Sequence, residues 1–203
     1  MSFSVAAIIE KSENRDKDLR HMAMYDLSQE LMKENVKLDD ASQKQLTDVV
    51  LKLLNDGVSE VQGAAVKCLA PLVKKMNKNQ IENSITNLCK VIEVKEDDKR
   101  DIATIALKTV VSELPAEMAT EPIQKVVDPL LRALNSSNQD VQLDALDVFN
   151  DVLARFGSIV SQHHKSIQSS FVAQLQSSRP TLRKRAVTGL ASLSQFTTDD
   201  LFN

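Results

Sequence analysis

The chain has no tryptophan, a single tyrosine (Tyr25) and only 3% aromatic residues. A core without large rings has to be thin, filled by Leu, Val, Ile and Ala between closely apposed helices. Glycine (4) and proline (5) are too scarce for an all-β chain, whose many turns would need them. No apolar run reaches the length of about 18 residues that a membrane span needs. The opening MSFSVAAIIEKSENRDKD has no basic n-region and reads as a helix rather than a signal peptide. The formal charge of −3, with both signs interspersed, lacks the basic footprint of a general nucleic-acid binder. With two cysteines, Cys68 and Cys89, inside apolar helical runs, we expect a reduced intracellular protein, cytoplasmic and nuclear.

The motifs of common enzyme chemistries are missing too. There is no glycine-rich phosphate loop, GxSxG, HExxH or CxxC. No catalytic residue, cofactor, metal or small-molecule substrate is therefore expected. His163 and His164 are the one histidine pair. Adjacent helical side chains point about 100° apart, so the pair reads as a solvated helix face, and the cysteines read as small core residues.

What the chain does contain is one unit five times over. Its first-turn positions are Leu19, Val61, Lys99, Val141 and Leu182, at intervals of 42, 38, 42 and 41 residues. Four residues later every copy has alanine: Ala23, Ala65, Ala103, Ala145 and Ala186. Four later again stand Leu27, Leu69, Leu107, Phe149 and Leu190. Asp18, Glu60, Asp98 and Asp140 precede the first four copies, where the positive end of a helix favours a carboxylate; Thr181 takes that place in the fifth. Positions i, i+4 and i+8 share one helical stripe. A central alanine lets a neighbouring backbone approach closely. A period near 40 residues is the signature of helical-hairpin repeats of the HEAT or armadillo kind.

The fold class expected is therefore all-α: a right-handed α-α superhelix, or solenoid, of about five hairpins in one domain. The repeats fall at about 2–36, 37–77, 78–116, 117–157 and 158–195, with a tail at 196–203. Each pairs a first (A) helix with a second (B) helix that carries the repeated unit. Asp39 or Asp40 should cap the second A helix, and Gly57 and Gly157 should act as helix stops. Pro71 and Pro129 should bend their helices, and Pro115 should end one. The last repeat lacks an obvious polar cap, so fraying or self-association is expected there. Arg20, Arg100 and Arg183 share one register, with Gln62 and Gln142 in the other copies. With the acidic residues two positions earlier, they should form a ladder of hydrogen bonds between repeats. The basic cluster of Arg179, Arg183, Lys184 and Arg185 reads as the solvated start of the fifth B helix rather than a nucleic-acid patch.

Binding surfaces in such arrays are extended and concave, and the B helices are assigned to that face. Opposite their core stripe lies the row Tyr25, Lys67, Ile105, Asp147 and Thr188, and three residues on, Ser28, Ala70, Lys108, Asn150 and Ala191. From these rows Tyr25, Lys67, Ile105, Lys108, Asp147 and Asn150 are the candidate partner-binding residues, with Ile105 as an apolar anchor. So mixed a face suits a protein partner better than a phosphate backbone.

Several strings go beyond generic repeat chemistry: KDLRHMA (17–23), VKLDD (36–40), LKLLND (51–56), EVQGAAVKCLAPLV (60–73), RDIATIALKTVVSELP (100–115), VQLDALDVFNDVLARFG (141–157) and RPTLRKRA (179–186). In this order they resemble the amino-terminal HEAT region of the cullin-associated, neddylation-dissociated family. The resemblance implies a segment that binds an unmodified cullin's carboxy-terminal region and its RING subunit. The function implied is assembly and substrate-receptor exchange on cullin–RING ubiquitin ligases, with no nucleic acid, membrane or enzymatic step. It also implies either an engineered fragment or one product of a divided gene, without the part that displaces an adaptor. The residues alone leave open a generic HEAT scaffold of the transport or phosphatase-adaptor type. A repeat-fold base glycosylase is disfavoured by the mild charge and the lack of aromatic residues.

Overall fold

A computed structural model describes residues 4–93 and 97–197, the side chains of Asp97 and Asp98 excepted. The acidic side chain of Asp98 and the tail beyond Thr197 lie outside the described residues. Ten α-helices and two short 3-10 turns are found among them. They run α1 (Val5–Ser12), α2 (Lys17–Leu31), α3 (Asp40–Leu53), α4 (Ser59–Val73), α5 (Lys78–Ile92), α6 (Asp97–Glu113), α7 (Thr120–Leu134), α8 (Gln139–Phe156), α9 (His164–Gln174) and α10 (Pro180–Ser194). Odd-numbered helices form the A layer and even-numbered helices the B layer. Each A helix packs on the B helix that follows it, and within both layers each helix packs on the next. The array is the expected all-α solenoid.

The repeated stripe explains the stacking. Ala23, Ala65, Ala103, Ala145 and Ala186 are buried, none more than 3% exposed. Leu27, Leu69, Leu107 and Phe149 are closed off completely beside them. Between the layers runs one continuous apolar core. Ala103→Leu inserts three heavy atoms at a position only 3% exposed within α6, and should lower stability by about 1–3 kcal/mol. Chemical denaturation of the variant against the parent checks this; an unchanged midpoint would sink the alanine register.

Local chemistry sets the helix ends. Asp39 caps α3 by accepting the Ser42 N–H at 2.7 Å, and this bond holds its carboxyl below the ordinary range. Ser4, Asp16, Asn77 and Asn138 cap α1, α2, α5 and α8 in the same way. Pro180 occupies the first turn of α10, and Pro115 follows the end of α6. α4 and α7 continue through Pro71 and Pro129. α9 begins later than the hydrophobic pattern suggests, after a 3-10 turn at Ser161–His163.

Two expectations need correction. α8 does end at Phe156, with Gly157 as its C-cap, but no glycine among the described residues takes a positive φ, so neither Gly57 nor Gly157 ends a helix through a left-handed conformation. Gly157 serves close approach instead: a Cβ there would sit 2.3 Å from the Phe196 ring and 2.8 Å from the Leu153 carbonyl. The histidine pair is not a solvated face, because the rings diverge. His164 is buried and its Nε2 donates to the Gly157 carbonyl at 2.7 Å, while His163 sits beside Gln162.

In the fifth repeat both helices are formed. Phe196, in what the sequence leaves as a tail, folds over Gly157. Val187 is 57% exposed, whereas its counterparts Met24, Thr104 and Leu146 are buried under the following repeat.

Candidate protein-binding face

The register shared by Arg20, Gln62, Gln142 and Arg183 has one job in all four copies. Each side chain donates to the carbonyl six residues upstream, in the turn of its own hairpin: Asn14, Asp56, Ser136 and Ser177, at 2.7–3.0 Å. The residue thus ties the start of a B helix to the turn before it. This corrects the expected ladder for Arg20 and Arg183, whose partners are not the residues two positions earlier. Among the described residues this register also makes links between repeats in two copies. Arg20 donates from Nε and Nη2 to both Asp56 oxygens, at 2.7 and 2.9 Å. Arg100 donates from Nε to Asp144 at 2.7 Å.

Burial separates these two ion pairs. The Arg20 guanidinium beside Asp56 holds that carboxyl below its ordinary value. Desolvation pushes Asp144 the other way despite an equally short contact, because Arg100 is only 2% exposed and the pair sits between α6 and α8. Asp56 therefore contributes stability above the ordinary carboxylate value and loses it as pH falls through its depressed value. Ionisation of Asp144 opposes folding as pH rises through its raised value.

Asp144 belongs to a carboxylate stripe on α8, namely Asp140, Asp144, Asp147 and Asp151. Asp144 and Asp151 reach back to Arg100 and Lys108 of α6. Asp140 and Asp147 reach forward to Arg179 and Arg185. Arg183 is held by the Ser177 and Ser178 carbonyls. Two of the four residues in the basic cluster of the fifth repeat, Arg179 and Arg185, are thus neutralised from within.

The candidate binding residues divide accordingly. Lys108 pairs with Asp151 and Asp147 with Arg185, while Asn150 is half-buried and donates through Nδ2 to the Arg185 carbonyl. Ser28, in the same row as Lys108, is buried in the seam between B helices. At the other end, Tyr25 is 58% and Ile105 50% exposed. Lys67 has neither an ion pair nor a side-chain hydrogen bond among the described residues. Sequence periodicity marked this row but missed Met32, 62% exposed just beyond α2. Nor did it reveal the groove of about 830 Å³ lined by Tyr25, Gln29, Met32, Gly63, Lys67 and Ala70, among others. Small residues at the half-buried positions 63, 64 and 70 of α4 were the available signal.

Neither cysteine is a reactive thiol, since burial pushes both up to about 12. Among the described residues no His, Cys, Asp or Glu cluster could hold a metal ion, and no helix is long and apolar enough to cross a membrane.

Residues 1–116 match the family model described as stalled ribosome sensor GCN1-like, HEAT repeats. The chain is 40% identical over 192 residues to Cullin-associated NEDD8-dissociated protein 1 of Drosophila melanogaster, covering 93% of this chain and 15% of that protein. To Cullin-associated NEDD8-dissociated protein 2 of Mus musculus it is 39% identical over 207 residues, covering 99% of this chain and 17% of the relative. The chain thus spans about one sixth of these relatives' length. The MAST/Orbit N-terminal domain superposes with a TM-score of 0.70 at 17% identity, over 96% of this chain and 85% of that one, a likeness of fold alone.

Proposed function

Since the chain belongs to the GCN1-like HEAT-repeat family and is homologous over nearly its whole length to cullin-associated NEDD8-dissociated proteins, we propose that it is a cullin-binding segment. In this reading it docks on the carboxy-terminal region of an unmodified cullin and on its RING subunit. It would act in the cytoplasm and nucleus, as part of a factor that assembles cullin–RING ubiquitin ligases and exchanges their substrate receptors. The observation that carries the proposal is the 39–40% identity to relatives whose names state the association. A face of mixed apolar and polar side chains supports a role in binding a protein. No step of bond chemistry is assigned to the chain.

The test is direct binding of the purified chain to three immobilised partners: an unmodified cullin–RING core, the same core carrying its ubiquitin-like modifier, and a transport GTPase. Saturable binding to the unmodified core alone is the expected result. Equal retention on all three, or none on the core, would overturn the proposal.

A further inference from the structure

The B-helix face is not uniform along the array, and the difference specifies a ligand. On α6, α8 and α10 the charged groups engage one another, through Lys108–Asp151 and Arg185–Asp147. Across α2, α4 and α6 the corresponding row reads Tyr25, Lys67, Ile105: an exposed ring, an ammonium unpaired among the described residues and an exposed aliphatic side chain. Beside it the face is hollowed, because Gly63, Ala64 and Ala70 of α4 fill so little space. A Cβ on Gly63 would meet nothing within 4 Å. Tyr25 of α2 and Met32 just beyond its end form one wall; Thr109 closes the other on α6, one turn beyond Ile105. Glu60 lies at the groove's edge, seven residues and so about 10 Å from Lys67 along α4.

We propose that this groove takes one amphipathic α-helix of a partner protein, lying across α2, α4 and α6. The helix presents an apolar residue to Tyr25, a carboxylate to Lys67 and a second apolar residue to Ile105. Packed helices are spaced about 8–10 Å apart, and two turns of helix advance about 10.5 Å. The three contacts therefore recur at about i, i+7 and i+14. An extended peptide fits less well, because every backbone N–H and C=O it buries must find a partner. The groove offers it scattered side-chain groups, the Gln29 carboxamide with His21, Ser28, Glu60 and Thr109, rather than a continuous row of donors and acceptors, and the row beyond offers Asn150, whose Nδ2 is already bonded to the Arg185 carbonyl. A helix satisfies its own backbone. The unpaired ammonium at the centre fixes the sign of the charge it meets.

The inference deepens the protein-binding reading above, and two probes keep the two separable. The first is the unmodified cullin–RING core, titrated with the parent chain, Tyr25→Asp, Lys67→Glu, Ile105→Asp and Thr188→Asp. The second is a synthetic, side-chain-stapled helix of about 18 residues with Leu, Glu and Leu at i, i+7 and i+14, compared with a version carrying Lys in place of Glu. The parent should prefer the Glu peptide by about tenfold, and Lys67→Glu should reverse that preference. The first three variants should weaken core binding by about tenfold or more, and Thr188→Asp should leave it unchanged. Circular dichroism and thermal melts confirm that each variant is folded. If the parent fails to bind the core, the cullin reading falls and the peptide pair still decides the groove. If peptide binding ignores both the sign of its charge and Lys67→Glu, the groove proposal is overturned. It is equally overturned if the core binds all variants alike.

Discussion

Arg100→Ala should lower stability by about 3 kcal/mol at neutral pH, a large fraction of what a single domain possesses. The guanidinium is 2% exposed and its Nε lies 2.7 Å from Asp144, itself only 17% exposed at the side chain. Truncation removes the cation but leaves the carboxylate between α6 and α8 with its charge uncompensated. Desolvation already raises the pKa of Asp144 in the presence of the arginine. Without it the pKa rises further, so the variant's deficit should shrink as pH falls and Asp144 takes up a proton in the folded state. Replacing both partners, Arg100→Met with Asp144→Leu, removes the pair without stranding either member. That double variant should return to within about 1 kcal/mol of the parent. Urea melts of the three proteins at neutral and mildly acid pH measure all these values. A deficit for Arg100→Ala that does not change with pH would show that lost packing, not the stranded carboxylate, carries the effect.

The second large effect is expected from a single methyl group. Gly189 lies within α10, where an alanine would ordinarily gain about 1 kcal/mol of helix propensity. Here a Cβ would sit 1.9 Å from the Phe171 ring and 2.6 Å from Asn150 Oδ1. Phe171 has little room to yield: it is fully buried and meets Phe149 edge-on, with ring centroids 5.6 Å apart. Overpacking should therefore outweigh propensity, and Gly189→Ala should destabilise by about 2 kcal/mol net. Gly63→Ala is the matched control. It lies inside α4 with open space around the added methyl, so it should stabilise by about 0.5–1 kcal/mol. Thermal or urea unfolding gives both signs. Two stabilising substitutions would mean that α9 does not press on α10 as described.

These two sites mark how far the sequence could be read. The period near 40, the alanine at the centre of each copy and the carboxylate before the first four are patterns in sequence separation. A helix converts sequence separation directly into a face, so they suffice to define the hairpins, the two layers and the buried stripe. The cap at Asp39 was legible for the same reason, because it acts within a turn of itself. The exposed row of Tyr25, Lys67 and Ile105 followed from the face opposite the core.

Contacts made between repeats were not legible. Asp147 and Lys67 occupy equivalent positions in their copies, yet one is paired with Arg185 and the other is unpaired among the described residues. The difference depends on which residues sit on the neighbouring helix, about 40 positions away. For the same reason the close approach at Gly157 could not be read: the Phe196 ring that needs it arrives from another part of the chain, whereas a Cβ on Gly57 would meet nothing within 4 Å. The sequence by itself determined the repeat, its helices and its core, since these arise from local propensity and the burial of one stripe. Only the tertiary structure decided which charges are neutralised within the array, which carboxylate is desolvated, and where small side chains leave a groove. Those properties belong to pairs of helices, and pairing is settled by packing.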